Sequence, residues 1–513
     1  MNQKTQSSNL ISMTSKTIAT TPTLVNDCLY LIFKLLITNK DLYSCALVSK
    51  SWAAIAIPIL WEAPFRNDYG FIPSPDVINV YMAFLPHNGH GSKLSPHRIP
   101  FDYPSYLKEL PFDRFCNFVG KRIWFHSTII KLLKMFTSHG AILRKFEICS
   151  TLANQEILNQ DWIVLPSNPE FSSLFGNNLT YFTCGFQWTS KKVELFNALA
   201  LNCHNIKNLK VKVFREDEGI ALANLICAQK QLNKFSLLNS NNFASIVVQA
   251  LICHTRSLGS LSFKHMNNGH AFRNAAPFTE YTLCQLNKKA VDVIVQCANV
   301  TKLKFIDCEG LNSSQYYPIG FAFSNLTSLT YTFGACKDYD YTTPIKLLSD
   351  LIRTSCNTLE MIVFFWSTAE ILDISQLIQA IICTIRLKVL RIPLYKLEEL
   401  SLIYQFCDKL ENLNINLFKT INPNNALRIF ANKQHNNLNT IYIWLYYLKH
   451  DVEIDEAQLD WIFAYIFFKN KQIKKFTLDE VYIGKISDDK KISLQKKYPK
   501  LKLFGFNDER KRT

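Results

Sequence analysis

Along most of this chain the apolar residues recur in one short pattern, apolar-x-x-apolar-x-apolar, with polar stretches setting the repeats apart. The pattern begins at Leu143, Leu179, Ile206, Leu232, Leu258, Val300, Leu326, Leu359, Leu387, Leu410, Leu438, Ile473 and Tyr498, at intervals of 23 to 42 residues. Within a unit the alternation, as in Leu209-Lys210-Val211 or Leu413-Asn414-Ile415, has the period of two that marks a strand with one buried face. Between units lie helix-like runs: Val193 to Cys203, Ile220 to Cys227, Ile246 to Cys253, Ala290 to Cys297, Leu347 to Cys356, Leu377 to Cys383 and Leu400 to Cys407. Strand and helix therefore alternate, which predicts an α/β architecture built from a repeated unit. Each of those runs ends in a cysteine three to five residues before the next unit, and we expect these seven to seal the turn from helix to strand.

The N-terminal part is patterned differently. Leu29, Ile32, Phe33, Leu35 and Leu36 recur at helical steps after the capping candidates Asn26 and Asp27, and Asn39-Lys40-Asp41 interrupts them. A second apolar run, Leu42, Cys45, Ala46, Val48, Trp52, Ile55 and Ile57, leads to Pro58, which predicts two further short helices and a stop. Leu24 to Trp61 spans 38 residues, too few to be stable alone, so its large apolar side chains call for a partner. Read from spacing alone, an ordinary helical hairpin packed on the rest of the chain is the favoured reading.

The order of residue types narrows the choice. Leu29-Tyr30-Leu31-Ile32-Phe33, Asp41-Leu42, Val48-Ser49-Lys50-Ser51-Trp52 and Leu60-Trp61 follow in the sequence of an F-box, which the segment resembles. Val25 stands where that family usually has the proline of a Leu-Pro pair. The resemblance implies docking to a Skp-type adaptor and, through it, to the cullin of an SCF-type ubiquitin ligase, by Leu24, Leu29, Ile32, Phe33, Leu42, Val48 and Trp52, an apolar face shared between the adaptor and the unit's own core. The repeated units in turn resemble the cysteine-containing leucine-rich repeats that often follow an F-box, with a less regular ninth position, where Cys308 is one of few matches. Phe101 to Phe112 and Met135 to Ile148 look like segments of an expanded fungal group of such proteins. The expected fold is thus a small all-α F-box followed by an irregular leucine-rich-repeat solenoid, or horseshoe. Its expected divisions are a Ser/Thr-rich disordered tail (1–22), the F-box (23–62), a proline-containing connector with capping helices (63–140), the repeat array (141–506) and a basic tail (507–513).

In such an array the third, fifth and seventh positions of each unit face the concave side, an extended binding surface. Its first half carries Lys210, Lys212 and Lys304, and its second half Phe365, Arg391, Asn414, Tyr442 and Trp444; these are the candidate substrate-binding residues. A shift of one residue in register would turn them inward.

Charge and cysteine usage refine the picture only slightly. Lys and Arg number 57 against 41 Asp and Glu, a net +16 with no block of five like charges, which reads as a solvated basic face suited to an acidic partner. Fifteen cysteines without a C-x-x-C pair read as reduced thiols of a cytosolic or nuclear chain. The longest late apolar runs, Ile441 to Leu448 and Trp461 to Phe468, have eight residues against the ~20 that span a bilayer, so no membrane role is expected.

Motifs for phosphate loops, dinucleotide binding, a serine elbow or a zinc helix are all missing, and no cofactor is expected. His87, His90 and His97 read as a solvated loop, and Cys45 as packing. The leading expectation is a non-catalytic substrate-recognition subunit that binds an unknown protein; a repeat scaffold without a ligase is the alternative, and nucleic-acid binding by the basic half ranks last.

Overall fold

A computed structural model describes residues 25–503 apart from 37, 67–75, 86–99, 121–124, 150–165, 167, 186–190, 239–243, 265–286, 307, 309–313, 334–340, 367–371, 419–420, 433–434, 447–455 and 479–485. Three helices come first: α1 (Asn26–Leu35), α2 (Asn39–Ala46) and α3 (Lys50–Leu60). The rest is built on one sheet of fourteen parallel strands, β1 (Glu109–Pro111), β2 (Lys145–Ile148), β3 (Tyr181–Cys184), β4 (Asn208–Lys212), β5 (Lys234–Leu238), β6 (Ser260–Lys264), β7 (Lys302–Ile306), β8 (Ser328–Phe333), β9 (Met361–Trp366), β10 (Val389–Leu394), β11 (Asn412–Phe418), β12 (Thr440–Tyr446), β13 (Lys475–Leu478) and β14 (Leu501–Leu503). Their order in the sheet is their order in the chain, with β1 and β14 at its two edges, so the sheet is open.

Parallel neighbours need a crossover, and helices supply it: Lys191–Asn202 returns the chain from β3 to β4, Glu216–Cys227 from β4 to β5. Each predicted unit contains a strand, which starts two residues after the unit's first apolar residue, or three in the unit at Tyr498. One strand lies outside the prediction. The sheet begins at Glu109, inside the segment read as a connector, because β1 pairs with β2 through Leu110 and Phe146. Pro111 is tolerated there since β1 is an edge strand.

The alternation is realised as register. Leu209, Phe235, Leu261 and Leu303 lie side by side in adjacent strands, as do Val211, Leu237, Phe263 and Phe305, and all are buried against helix residues such as Leu195, Leu199, Leu222 and Leu225. Helices Phe112–Gly120 and Phe125–Ser138 extend this core at its start, with Phe115, Leu132 and Phe136 buried in it.

Polar side chains tie each helix end to the next unit. Gln229 Nε2 donates to the carbonyl of Cys203 at 2.8 Å while its Oε1 accepts from Ile206 N–H at 2.9 Å. His254 and His435 each donate Nε2–H to the carbonyl that ends the preceding helix region, Ile226 and Cys407, both at 2.8 Å. Asn470 accepts from the Tyr404 hydroxyl and from His435 N–H, and donates to the carbonyls of Phe430 and Ile466. These bonds add side-chain donors to carbonyls at the helix ends, some of which, such as Ile226 and Cys407, also accept a backbone N–H. Burial holds the His435 imidazole below its ordinary proton affinity, consistent with a neutral ring.

The cysteine expectation holds for part of the set. Cys203, Cys297 and Cys407 are buried at the turn, but Cys227, Cys253 and Cys383 are exposed and Cys356 is half-buried. In those units the last helical turn presents the cysteine to the outer side. Every cysteine among the described residues is a free thiol.

One ion pair is fully enclosed: Lys192 Nζ lies 3.2 Å from Glu218 Oε2, both side chains without exposure. The same carboxylate accepts from Phe214 N–H at 2.9 Å, and Lys192 sits 5.1 Å above the Phe214 ring. Replacing the lysine alone strands a buried carboxylate, so Lys192→Met is expected to cost ~3–5 kcal/mol in urea unfolding. The double variant Lys192→Met, Glu218→Gln is expected to recover most of it.

Candidate functional site

The first site is the outer surface of the N-terminal helices. Val25, at the head of α1, provides no side-chain cap, and Asn26 and Asp27 lie within the first turn, where the carboxylate suits the helix dipole. Sequence reading expected the cap at Asn26 or Asp27. Helices α2 and α3 are capped as their residues dictate: Thr38 Oγ1 accepts from Asp41 N–H at 3.1 Å and Ser49 Oγ from Trp52 N–H at 3.2 Å. The expected stop at Pro58 is displaced. The proline falls in the last turn of α3, where its missing N–H costs one bond, and the helix runs on to Leu60, with Trp61 N–H still donating to Ile57.

A small core forms from Leu29, Phe33, Leu42 and Ala56, with Trp52 edge-on to Phe33 at 5.2 Å between ring centroids. Of the face expected to be shared between adaptor and core, Leu29, Phe33 and Leu42 lie in the core, because α1 has one face to give to α3. Trp52 is half-buried, Leu24 lies outside the described residues, and Ile32 and Val48 are exposed. Also exposed are apolar side chains that sequence reading passed over as contacts: Leu35 at 80% exposure, Leu47 at 69% and Leu31 at 64%, together with Tyr30 and Tyr43. The signal was present in Leu29-Tyr30-Leu31-Ile32-Phe33, which is apolar all round the helix, so a single stripe cannot bury it. So many large apolar groups exposed on thirty-odd residues are the kind of surface that marks contact sites.

Glu62 joins this unit to the sheet. Its carboxylate pairs with Lys34 of α1 and with Lys108, and its carbonyl accepts from Lys108 and Glu109 N–H, each at 2.9 Å. Burial works against ionisation here, but the two ammonium groups outweigh it and hold the Glu62 carboxyl below its ordinary range. Trp61 packs on Tyr103 at 4.3 Å and Tyr81 at 5.2 Å, adding an apolar contact to the joint.

The second site is the sheet face away from the helices. Lys210, Lys304, Arg391, Asn414 and Tyr442 share one register row on it, and Phe365 and Trp444 lie one step further along their strands; all are half-buried. The aromatics are not turned inward. Two are covered by cations instead: Arg391 stacks 4.5 Å above Phe365, and Lys475 lies 4.7 Å above Tyr442 and donates to its hydroxyl at 2.7 Å. Trp444 Nε1 and the Asn414 and Asn416 side-chain oxygens are covered and without a hydrogen-bond partner. Lys212 departs from its assignment. It is 5% exposed, lies 4.6 Å over Phe214, and its ammonium pKa is pushed down to about 8 by burial and by Lys192, so it is a poor first contact for a partner.

Elsewhere the described residues hold no group of three or more His, Cys, Asp or Glu suited to a metal; His87, His90 and His97 lie outside them. No described helix is long and apolar enough to cross a membrane. Cys45 is half-buried and packs on the small core.

Comparison with protein families gives one match: residues 26–67 fit the F-box-like family. The match begins at α1 and takes in the three helices and the Glu62 joint, slightly later at both ends than the 23–62 expected. No curated protein matches the chain.

Core and surface residues of α1 are separable. Phe33→Ala should destabilise the N-terminal helices by ~3–5 kcal/mol, as buried phenylalanines do, whereas Ile32→Asp should leave stability within ~0.5 kcal/mol. Hydrogen exchange of α1 to α3 amides checks both.

Proposed function

We propose that this chain is the substrate-recognition subunit of an SCF-type cullin-RING ubiquitin ligase. The observation that carries the reading is the apolar surface of Leu31, Ile32, Leu35, Leu47 and Val48 on an F-box-like unit, which a Skp-type adaptor would cover. The strand-helix units then act as a leucine-rich-repeat array whose free sheet face binds a protein substrate. Chemistry resides in partner proteins, and this chain contributes proximity, raising the local concentration of substrate beside the ligase machinery. On this reading it is not an enzyme and works in the cytosol or nucleus.

The joint at Glu62 favours the same view. A receptor must hold its substrate at a fixed place relative to the adaptor, and a paired carboxylate with two backbone bonds restrains the hinge point between the two parts. The non-ligase scaffold remains the competing reading, supported by Val25 at the head of α1 in place of the usual proline.

Adaptor capture decides between them. In a pull-down with a Skp-type adaptor, Ile32→Asp with Leu35→Asp should weaken capture by about tenfold or more while hydrogen exchange of the sheet is unchanged. Failure of the parent chain to capture the adaptor, or equal capture by the double variant, would overturn the ligase role.

A further inference from the structure

The sheet face has an unbalanced charge pattern. On the rows that face away from the helices, Lys145 of β2 is neutralised by Glu109 and Glu147 at 3.7 and 3.2 Å. From β3 to β13 those rows contain no Asp or Glu, and β4 to β7 supply Lys210, Lys212, Lys234, Lys264, Lys302 and Lys304. None of these six ammonium groups has an ion-pair partner among the described residues. The lysines also act on one another. Burial, then Lys210 and Lys304, push the Lys264 pKa down, so three cations crowd one area. In their midst Ser262, 7% exposed, sits between Ser236 and Lys304 in register, and its hydroxyl is covered and without a partner.

We propose that the β4 to β7 face binds an extended polypeptide segment rich in Asp and Glu, with Lys210, Lys264 and Lys304 as its principal contacts. Alternate carboxylates of an extended chain are ~7 Å apart and parallel strands ~4.8 Å, so a segment laid across the strands meets a new lysine at each step or two. Charge complementarity identifies the partner; the residue types identify its class. Lysines spread over four strands suit a run of point charges, whereas a focused phosphate would call for converging arginine forks. Strands β4 to β7 carry no aromatic side chain on this face, and Phe214 just beyond β4 is covered by Lys192 and Lys212, so stacked bases find no open platform. This extends the substrate-receptor reading by naming the chemistry of the substrate; the assay below needs no adaptor, so the two fail separately.

The test is fluorescence anisotropy of the full chain with a labelled Glu/Asp peptide, its Gln/Asn counterpart and an oligothymidine. The acidic peptide should bind at least about tenfold more tightly than the neutral one, and Lys210→Ala, Lys264→Ala, Lys304→Ala together should remove about that factor. The matching triple arginine variant should retain binding, and Lys288→Ala, Lys289→Ala, Lys409→Ala, an equal loss of charge on exposed residues outside the strands, should leave it unchanged. Equal binding of acidic and neutral peptides, an equal loss in the control triple, or tighter binding of the oligothymidine would each overturn the proposal.

Discussion

Everything beyond α3 depends on one constraint: a single strand and helix cannot bury their apolar sides alone, so each unit must be covered by the next. The side-by-side rows from Leu209 to Leu303 and from Val211 to Phe305 are that constraint made visible, since each residue in them is shielded by its neighbours in the adjacent strands. Gln229, His254 and His435 serve the same end for the polar backbone, handing each helix end a partner from the following unit. Stacking has a price at the ends, where the first unit would lie bare. There Phe65 and Tyr81 pack on Phe115 and Phe136 of the helices Phe112–Gly120 and Phe125–Ser138, which cross from β1 to β2.

The N-terminal helices obey the opposite logic. A ten-residue helix that is apolar around its whole circumference can satisfy only one side by internal packing, so Leu29 and Phe33 go inward and Leu31, Ile32 and Leu35 stay outside. Internal packing and the exposed apolar surface thus draw on different residues of the same short segment. The same division appears on the sheet, where Leu209 and Val211 hold the fold and Lys210 between them is left for other uses.

Much of this was legible in the sequence, for physical reasons. Alternation within each unit fixes which residues face the helices, and each strand begins two or three residues into the pattern. The F-box-like helices announce themselves through residue order, in agreement with the family match over 26–67. What escaped was set by neighbours in space. Strand β1 is three residues ending in proline, too short to show a period, and it exists because β2 offers an edge. Lys212 reads as an open position until Phe214 and Lys192 are seen beside it. Which of Ile32 and Phe33 faces inward depends on where α3 packs, a matter adjacent letters cannot decide.

Strand order has a consequence for how the molecule comes into being. Since the sheet follows the chain from β1 to β14 without a swap, every strand pairs with ones made just before it, and no early segment must wait for a distant one. Structure can accrue behind the ribosome, the F-box-like helices first and the sheet lengthening one strand at a time. The growing edge is then always the newest, so besides the fixed edge at β1 the unpaired backbone of the sheet lies at one moving boundary.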